Sequence, residues 1–137
     1  MNIEVGEVWL VKFPLEEDVS VFKNRPVVVL DVEMETLQVL SVKVTKHPPR
    51  PNDKYDVPIL YWQEAKLKIS STARVSKTMY LEKDMFIHKI GDLHPEDFNK
   101  IKNKFIQLLQ ERIHSNQYTA ATKDIEKENE SEDEWER

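Results

Sequence analysis

The sequence contains no cysteine and only two glycines among its 137 residues. Without cysteine there is no disulfide framework, no thiolate nucleophile and no cysteine-ligated zinc or iron-sulfur site, which excludes several classes of enzyme. A glycine-rich phosphate loop and a His-Glu-x-x-His zinc motif are missing as well. We therefore expect neither a metal nor a nucleotide cofactor.

Long hydrophobic runs are also missing. No segment approaches the roughly 20 apolar residues of a membrane-spanning helix. Met1 to Glu7 carries acids where a secretory signal needs a basic segment followed by an apolar one. The sequence favours a cytoplasmic protein that does not contact a membrane, and its length favours one domain.

The formal net charge of -5 argues at first against a protein that binds nucleic acid. The excess is local, because residues 123–137 hold eight acids and three bases. The remaining residues are balanced between acids and bases, and a neutral body can still present a basic groove on one face. Acidity does not exclude a nucleic-acid partner.

Short runs of β-branched and aromatic residues, separated by turn-forming residues, indicate a mainly β protein. The polar segment from Leu15 to Arg25 is typical of a surface loop, and residues 62–68 allow a short helix. Several short strands with few crossover helices predict a small barrel. The predicted strands are residues 7–13, 26–32, 37–44, 55–61, 71–79 and 87–93.

One helix is predicted from Pro95, where proline and two acids suit a helix start. Apolar residues then recur with helical spacing and form one stripe that would cap the barrel. We expect a domain over residues 1–115 and a polar, acidic, disordered tail over residues 116–137. The stripe consists of Phe98, Ile101, Phe105, Leu108 and Leu109.

Three segments in order carry a resemblance to a known family. Gly6 to Phe13 is a Gly-acidic-apolar-Trp strand, Arg25-Pro26 precedes a valine-rich strand, and a third strand ends at Thr45. This arrangement resembles the MazF/PemK toxins of type II toxin-antitoxin systems. The resemblance continues through residues 71–77 and 88–93 into the final helix and covers roughly residues 4–113.

The resemblance implies an SH3-like small barrel of the MazF/PemK/CcdB kind with a C-terminal helix. It also implies a homodimer that is paired with an antitoxin protein and cleaves single-stranded RNA at short sequences without a metal. The family's loop arginine and strand-end threonine or serine correspond here to Arg25 and Thr45, which would be the catalytic pair.

The chemistry of these two residue types is compatible with that role. Transfer of a phosphodiester to a 2'-hydroxyl builds negative charge on the phosphorane oxygens, and a guanidinium supplies a planar, permanently charged set of donors for them. A threonine hydroxyl adds one hydrogen bond. Arginine is a poor general base in water, so proton transfer needs another explanation, and His47 is a candidate to assist.

Basic and polar residues around this pair are candidates to bind the RNA backbone. Each is also an ordinary surface residue by type, and an arginine before proline is more often a solvated group than a catalytic one. The candidates are Lys12, Lys23, Asn24, Lys46, His47, Arg50, Arg74, Ser76 and Lys77.

Two departures from the family pattern leave alternatives open. Lys66 lies where relatives often have glycine, and Ser76-Lys77 replaces an acidic residue and a glutamine. A weak or inactive relative that binds nucleic acid or protein is therefore an alternative to the nuclease. The acidic tail, which includes Trp135, resembles antitoxin segments, so autoinhibition is a further hypothesis beside that of a solubilising tail.

Overall fold

A computed structural model of the chain describes residues 2–118, with side chains as far as residue 115. Six strands precede one long helix, which confirms the predicted mainly β fold with a C-terminal helix. The predicted acidic tail lies outside the described residues from residue 119 onward. The elements are β1 (Glu7–Pro14), β2 (Phe22–Glu33), β3 (Gln38–Thr45), β4 (Asp56–Ile59), β5 (Ser71–Glu82), a 3-10 turn (Lys83–Met85), β6 (Phe86–Asp92) and α1 (Pro95–Tyr118).

The strands form one antiparallel sheet in the order β4-β5-β3-β2-β1-β6. Register shifts interrupt the β1–β6, β2–β3 and β3–β5 ladders, and bulges of this kind bend strands and increase their twist. Within residues 2–118 no pairing joins β4 to β6, so the sheet is barrel-like without being closed.

The two faces of the sheet hold separate hydrophobic cores, because alternate residues of a strand point in opposite directions. Val28 and Val44 pack with Ile101 and Leu108 of α1 on one face. Residues such as Trp9, Val11 and Val27 form the second core on the other face. The apolar run at the centre of β2 is thus buried on both faces, as predicted.

The segment predicted as a loop from Leu15 to Arg25 is a loop only in its first part. β2 begins at Phe22, and its first residues pair with β1, including Arg25 opposite Val11. Lys23 and Asn24 remain exposed on this strand, which explains why the local sequence is polar. The hydrogen-bonding partner supplied by β1 overrides a weak local strand propensity.

Residues 60–66 form a hydrogen-bonded turn in place of the predicted short helix. The N–H of Lys66 donates to the carbonyl of Gln63 (3.0 Å), and the N–H of Leu67 donates to the carbonyl of Trp62 (3.0 Å). These are the two hydrogen bonds of a Schellman motif, which ends many helices. The C′ residue of this motif, directly after the helical turn, is usually a glycine with a positive φ. Here that residue is Lys66, with φ 66°.

The buried carboxylate of Asp97 ties this turn to the start of α1. It accepts hydrogen bonds from the N–H groups of Leu60 (3.0 Å) and Tyr61 (2.8 Å). The turn therefore has a fixed position beside the sheet. A membrane-crossing helix is not found among the described residues, since none of their helices combines the length and apolar character required.

Candidate active site

Arg25 and Thr45 lie at the same end of two neighbouring strands. The β2–β3 ladder ends at the pair Val27 and Lys43, and Arg25 and Thr45 each lie two residues beyond it. A spacing of two keeps them on the same face of the sheet as Val27 and Lys43. Two residues that are 20 positions apart in the sequence thus lie on one face of the sheet, at the same end of two neighbouring strands.

Both residues are almost fully buried, with exposed fractions of 4% for Arg25 and 2% for Thr45. The guanidinium carbon of Arg25 lies 5.8 Å from the centre of the Phe13 ring, a distance at which the ring attracts a cation. The hydroxyl oxygen of Thr45 accepts the N–H of His47 (3.1 Å). Within residues 2–115 the proton of this hydroxyl has no acceptor, so it can be donated to a ligand.

A pocket of about 790 Å³ is bordered by both residues. Six of its lining residues are apolar, and the directly paired, half-buried Leu10 and Pro26 are among them. Six others are cations, five of them exposed, and no acid is found among the lining residues that the structure describes. The apolar lining is Leu10, Pro26, Val44, Leu67, Ile69 and Ile90, and the cations are Lys23, Arg25, Lys46, Lys66, Lys68 and Lys89.

Arg25 and Thr45 form the boundary between this pocket and the Phe13 face of the sheet. Leu10 and Phe13 are three residues apart on β1, so their side chains lie on opposite faces. The Arg25 guanidinium lies near Phe13, whereas Leu10 lines the pocket.

Lys89, which is one of these six cations, is paired with acids outside the pocket. Lys89 forms ion pairs with Glu7 (3.1 Å) and Asp92 (3.0 Å). The hydrogen bonds to Asp92 and Glu7 raise the pKa of Lys89, which secures its charge. Burial alone would raise the pKa of Glu7, but its hydrogen bonds with Trp9 and Lys89 hold that pKa below the ordinary value. These acids position Lys89 on β6.

The structure brings only some of the predicted RNA-binding residues to the pocket. Lys23, Asn24 and Lys46 line it together with Arg25 and Thr45. Lys12 is exposed on β1 outside it, and His47 lies next to it through the bond to Thr45.

Four further predicted residues lie on or near β5 in other environments. Arg50 is held by Asp53 (2.8 Å) and Asp56 (3.0 Å), and Ser76 donates to Asp53 (2.8 Å). Arg74 is 1% exposed, and Lys77 forms an ion pair with Glu16 (2.6 Å). These residues do not line the pocket.

The sequence analysis missed five polar residues that line the pocket: Lys66, Lys68, Ser71, His88 and Lys89. They come from the segment before β5, from the start of β5 and from β6, far from Arg25 and Thr45 in the sequence. The alternation of Lys66, Leu67 and Lys68 is the one sequence signal for the two lysines, since it would put both charges on one side if the segment were extended. His88 and Lys89 reach the pocket through the pairing of β6 with β1, and the sequence alone does not indicate that pairing.

The site is suited to bind a polyanion that also carries flat apolar groups. Lysines and an arginine attract phosphates, and an apolar surface accepts an unstacked base. Among the described residues no group of three or more His, Asp or Glu side chains is arranged to hold a metal ion. The donors that the site offers are thus a guanidinium, ammonium groups, hydroxyls and an imidazole.

Comparison with solved structures gives the same fold at low identity. An endoribonuclease in complex with its cognate antitoxin from a Mycobacterial species matches with a TM-score of 0.62 and 15% identity, over 80% of this chain and 96% of that one. MazF from Deinococcus radiodurans matches with a TM-score of 0.62 and 14% identity, over 80% and 98%. A MazE-MazF structure from the same organism gives 0.60 and 14%, over 80% and 96%.

A search of curated proteins finds no match to this chain. The family described as the PemK-like, MazF-like toxin of type II toxin-antitoxin systems matches residues 4–109, which is most of the chain and includes every element from β1 into α1. The protein therefore belongs to the PemK-like, MazF-like toxin family of type II toxin-antitoxin systems.

Proposed function

We propose that the protein is a cytoplasmic endoribonuclease, the toxin of a toxin-antitoxin pair. It cleaves single-stranded RNA at short sequences, without a metal, to 2',3'-cyclic phosphate and 5'-hydroxyl ends. The observation that carries this proposal is that Arg25 and Thr45, from separate strands, border one pocket lined by cations. Membership of the family and the fold shared with endoribonucleases support it.

In this reaction the 2'-oxygen attacks the neighbouring phosphorus, a new bond forms between them, and the bond from phosphorus to the 5'-oxygen breaks. The 2'-hydroxyl loses a proton and the departing 5'-oxygen gains one. The Arg25 guanidinium stabilises the charge that develops on the phosphorane oxygens, and the Thr45 hydroxyl donates to one of them.

Proton transfer falls to a group other than the guanidinium, because a guanidinium has donors but no acceptor for the proton of the 2'-hydroxyl. His88 lines the pocket, and His47 is joined to Thr45 through its backbone. An imidazole is the usual carrier of protons in such reactions. A water molecule within the pocket is the other route.

Two protein partners complete the proposal. A Mycobacterial relative is bound to its cognate antitoxin and a Deinococcus relative to MazE, and a pocket lined by cations attracts an acidic polypeptide as it attracts RNA. We include an antitoxin and a second copy of this chain as partners. Both partners follow from the family rather than from a contact within residues 2–118.

The direct test is to incubate the purified protein with a long single-stranded RNA in EDTA and to map the new ends. We expect cyclic phosphate and 5'-hydroxyl ends at a repeated short sequence. Arg25→Ala is expected to abolish cleavage, and Arg112→Ala, an exposed arginine of α1, is the matched control. RNA that is bound but left intact by the wild-type protein would favour an inactive relative that acts as a binding module.

A further inference from the structure

Lys66 has a backbone conformation that a lysine rarely adopts. Its φ is 66°, and Leu37 (φ 59°) is the other non-glycine residue with a positive φ among those described. The left-handed region is strained for a residue with a Cβ atom and favours glycine. Strain of this kind persists where the surrounding structure enforces it, and it is concentrated at functional sites.

Three independent contacts hold Lys66 in this position. The Schellman bonds close the turn, Asp97 fixes the N–H groups at its start, and Gly91 of β6 lets the turn approach the sheet. A Cβ atom at Gly91 would lie 2.2 Å from the carbonyl oxygen of Ala65. The close packing of Ala65 against Gly91 therefore sets where the Lys66 side chain begins.

The Lys66 side chain is exposed and lines the pocket, as does that of Lys68. Within residues 2–118 neither ammonium group forms an ion pair with an acid, in contrast to Lys89. A glycine at residue 66 would satisfy the turn with less strain, but it would remove one positive charge from this rim. What the lysine adds over glycine is a charged side chain at the pocket.

We propose that the Lys66 ammonium binds a backbone phosphate of single-stranded RNA next to the phosphate at Arg25 and Thr45. The base between them then rests on the apolar lining formed by Leu10 and Pro26. This assignment rests on the proposed ribonuclease function and names how its substrate is held. RNA is favoured over an acidic peptide because the pocket is continuous with the two proposed catalytic residues.

The test compares Lys66→Gly with Leu37→Gly. Both changes relieve a positive φ, but Leu37 lies in the turn between β2 and β3 and does not line the pocket. The probe is a single-stranded 2'-O-methyl oligonucleotide, which lacks the attacking hydroxyl and so measures binding alone. Thermal unfolding of each variant is measured in parallel.

We expect both glycine variants to unfold at a temperature equal to or above that of the wild-type protein. Lys66→Gly is expected to raise the Kd about fivefold at low salt and to reduce the slope of log affinity against log salt by about 0.7, the value for one phosphate of a single strand. Leu37→Gly is expected to change neither. Lys66→Arg keeps the charge and the affinity.

An unchanged Kd and salt slope in a folded Lys66→Gly protein would overturn the proposal. The proposal would also be overturned if Lys66→Gly lost affinity for an acidic peptide but kept its affinity for the oligonucleotide. The lysine would then belong to the binding site of a polypeptide partner. Failure of the ribonuclease proposal is measured separately. In that case the wild-type protein leaves natural RNA uncut, whether or not it binds the 2'-O-methyl oligonucleotide.

Discussion

Arg25 and Lys43 lie against the same aromatic ring. The guanidinium carbon of Arg25 is 5.8 Å from the centre of Phe13, and the Nζ atom of Lys43 is 5.7 Å from it. Lys43 is 5% exposed and lies two residues before Thr45 on the same face of β3. The Phe13 face therefore carries a second buried cation close to the proposed catalytic pair.

Lys43→Met is expected to lower the rate of RNA cleavage about 100-fold, the usual effect of removing one donor that stabilises transition-state charge. Methionine keeps most of the length of the side chain, so the unfolding temperature should stay close to that of the wild-type protein. The measurement is cleavage at saturating RNA, with Lys102→Met of α1 as the control. Equal rates for the two variants would remove Lys43 from the site.

Replacements of Thr45 separate its hydroxyl from its shape. Thr45→Ser keeps the oxygen that accepts the His47 N–H and should retain most of the cleavage rate. Thr45→Val keeps the shape but loses the hydroxyl, and we expect a loss of about 100-fold in rate with about 1 kcal/mol of stability. Rates and urea unfolding are measured together, and a Thr45→Val enzyme as fast as Thr45→Ser would contradict the role.

The acid stability of the protein should depend on Glu111. Hydrogen bonds from Tyr55, Lys54 and Gln107 lower the pKa of Glu111 to about 2. Burial and the bond to Glu111 raise the pKa of Tyr55 to about 12. Because the folded pKa of Glu111 is depressed, its stabilisation is complete above about pH 4.5 and is lost as the pH falls towards 2.

Unfolding of wild-type and Glu111→Gln proteins from pH 7 to pH 2 tests this expectation. The difference in free energy of unfolding should be largest at neutral pH and should close towards pH 2. Tyr55→Phe removes the first of the three donors to Glu111. The pKa of Glu111 should then lie closer to its ordinary value, and the free energy of unfolding should change less between pH 7 and pH 2. A difference that stays constant with pH would show that the carboxylate contributes nothing through its charge.

Gly91→Ala and Gly6→Ala add the same methyl group but should destabilise the protein for different reasons. Gly91→Ala places a Cβ atom against the Ala65 carbonyl and should cost about 2 kcal/mol by overpacking. Gly6 has φ 90° and no atom within 4 Å of such a Cβ, so Gly6→Ala is strained by its backbone alone. Only Gly91→Ala should also weaken oligonucleotide binding, because it displaces the turn that carries Lys66.

Much of the fold could be predicted because strand periodicity is local. The valine run of β2, the return strand β3 and the apolar stripe of α1 each depend on neighbouring residues. All three are confirmed, except that Leu109 of the predicted stripe is exposed. The start of β2 was missed because Phe22 to Arg25 becomes a strand only by pairing with β1. Tertiary pairing decided that boundary rather than residue type.

The candidate site could be predicted only in its central part. Arg25 and Thr45 were found through the family pattern, and Lys23, Asn24 and Lys46 follow as their sequence neighbours. The lysines of the turn before β5 belong to a segment whose position depends on the contact between Gly91 and Ala65. The spacing of residues in the sequence does not indicate that contact.

The ion pair between Glu16 and Lys77 links the connection after β1 to β5, which lies beyond β3 in the sheet. A phosphate that reaches Lys77 must displace the carboxylate of Glu16, so the contact is an exchange of one anion for another. Such an exchange releases few counterions and contributes little to the salt dependence of binding.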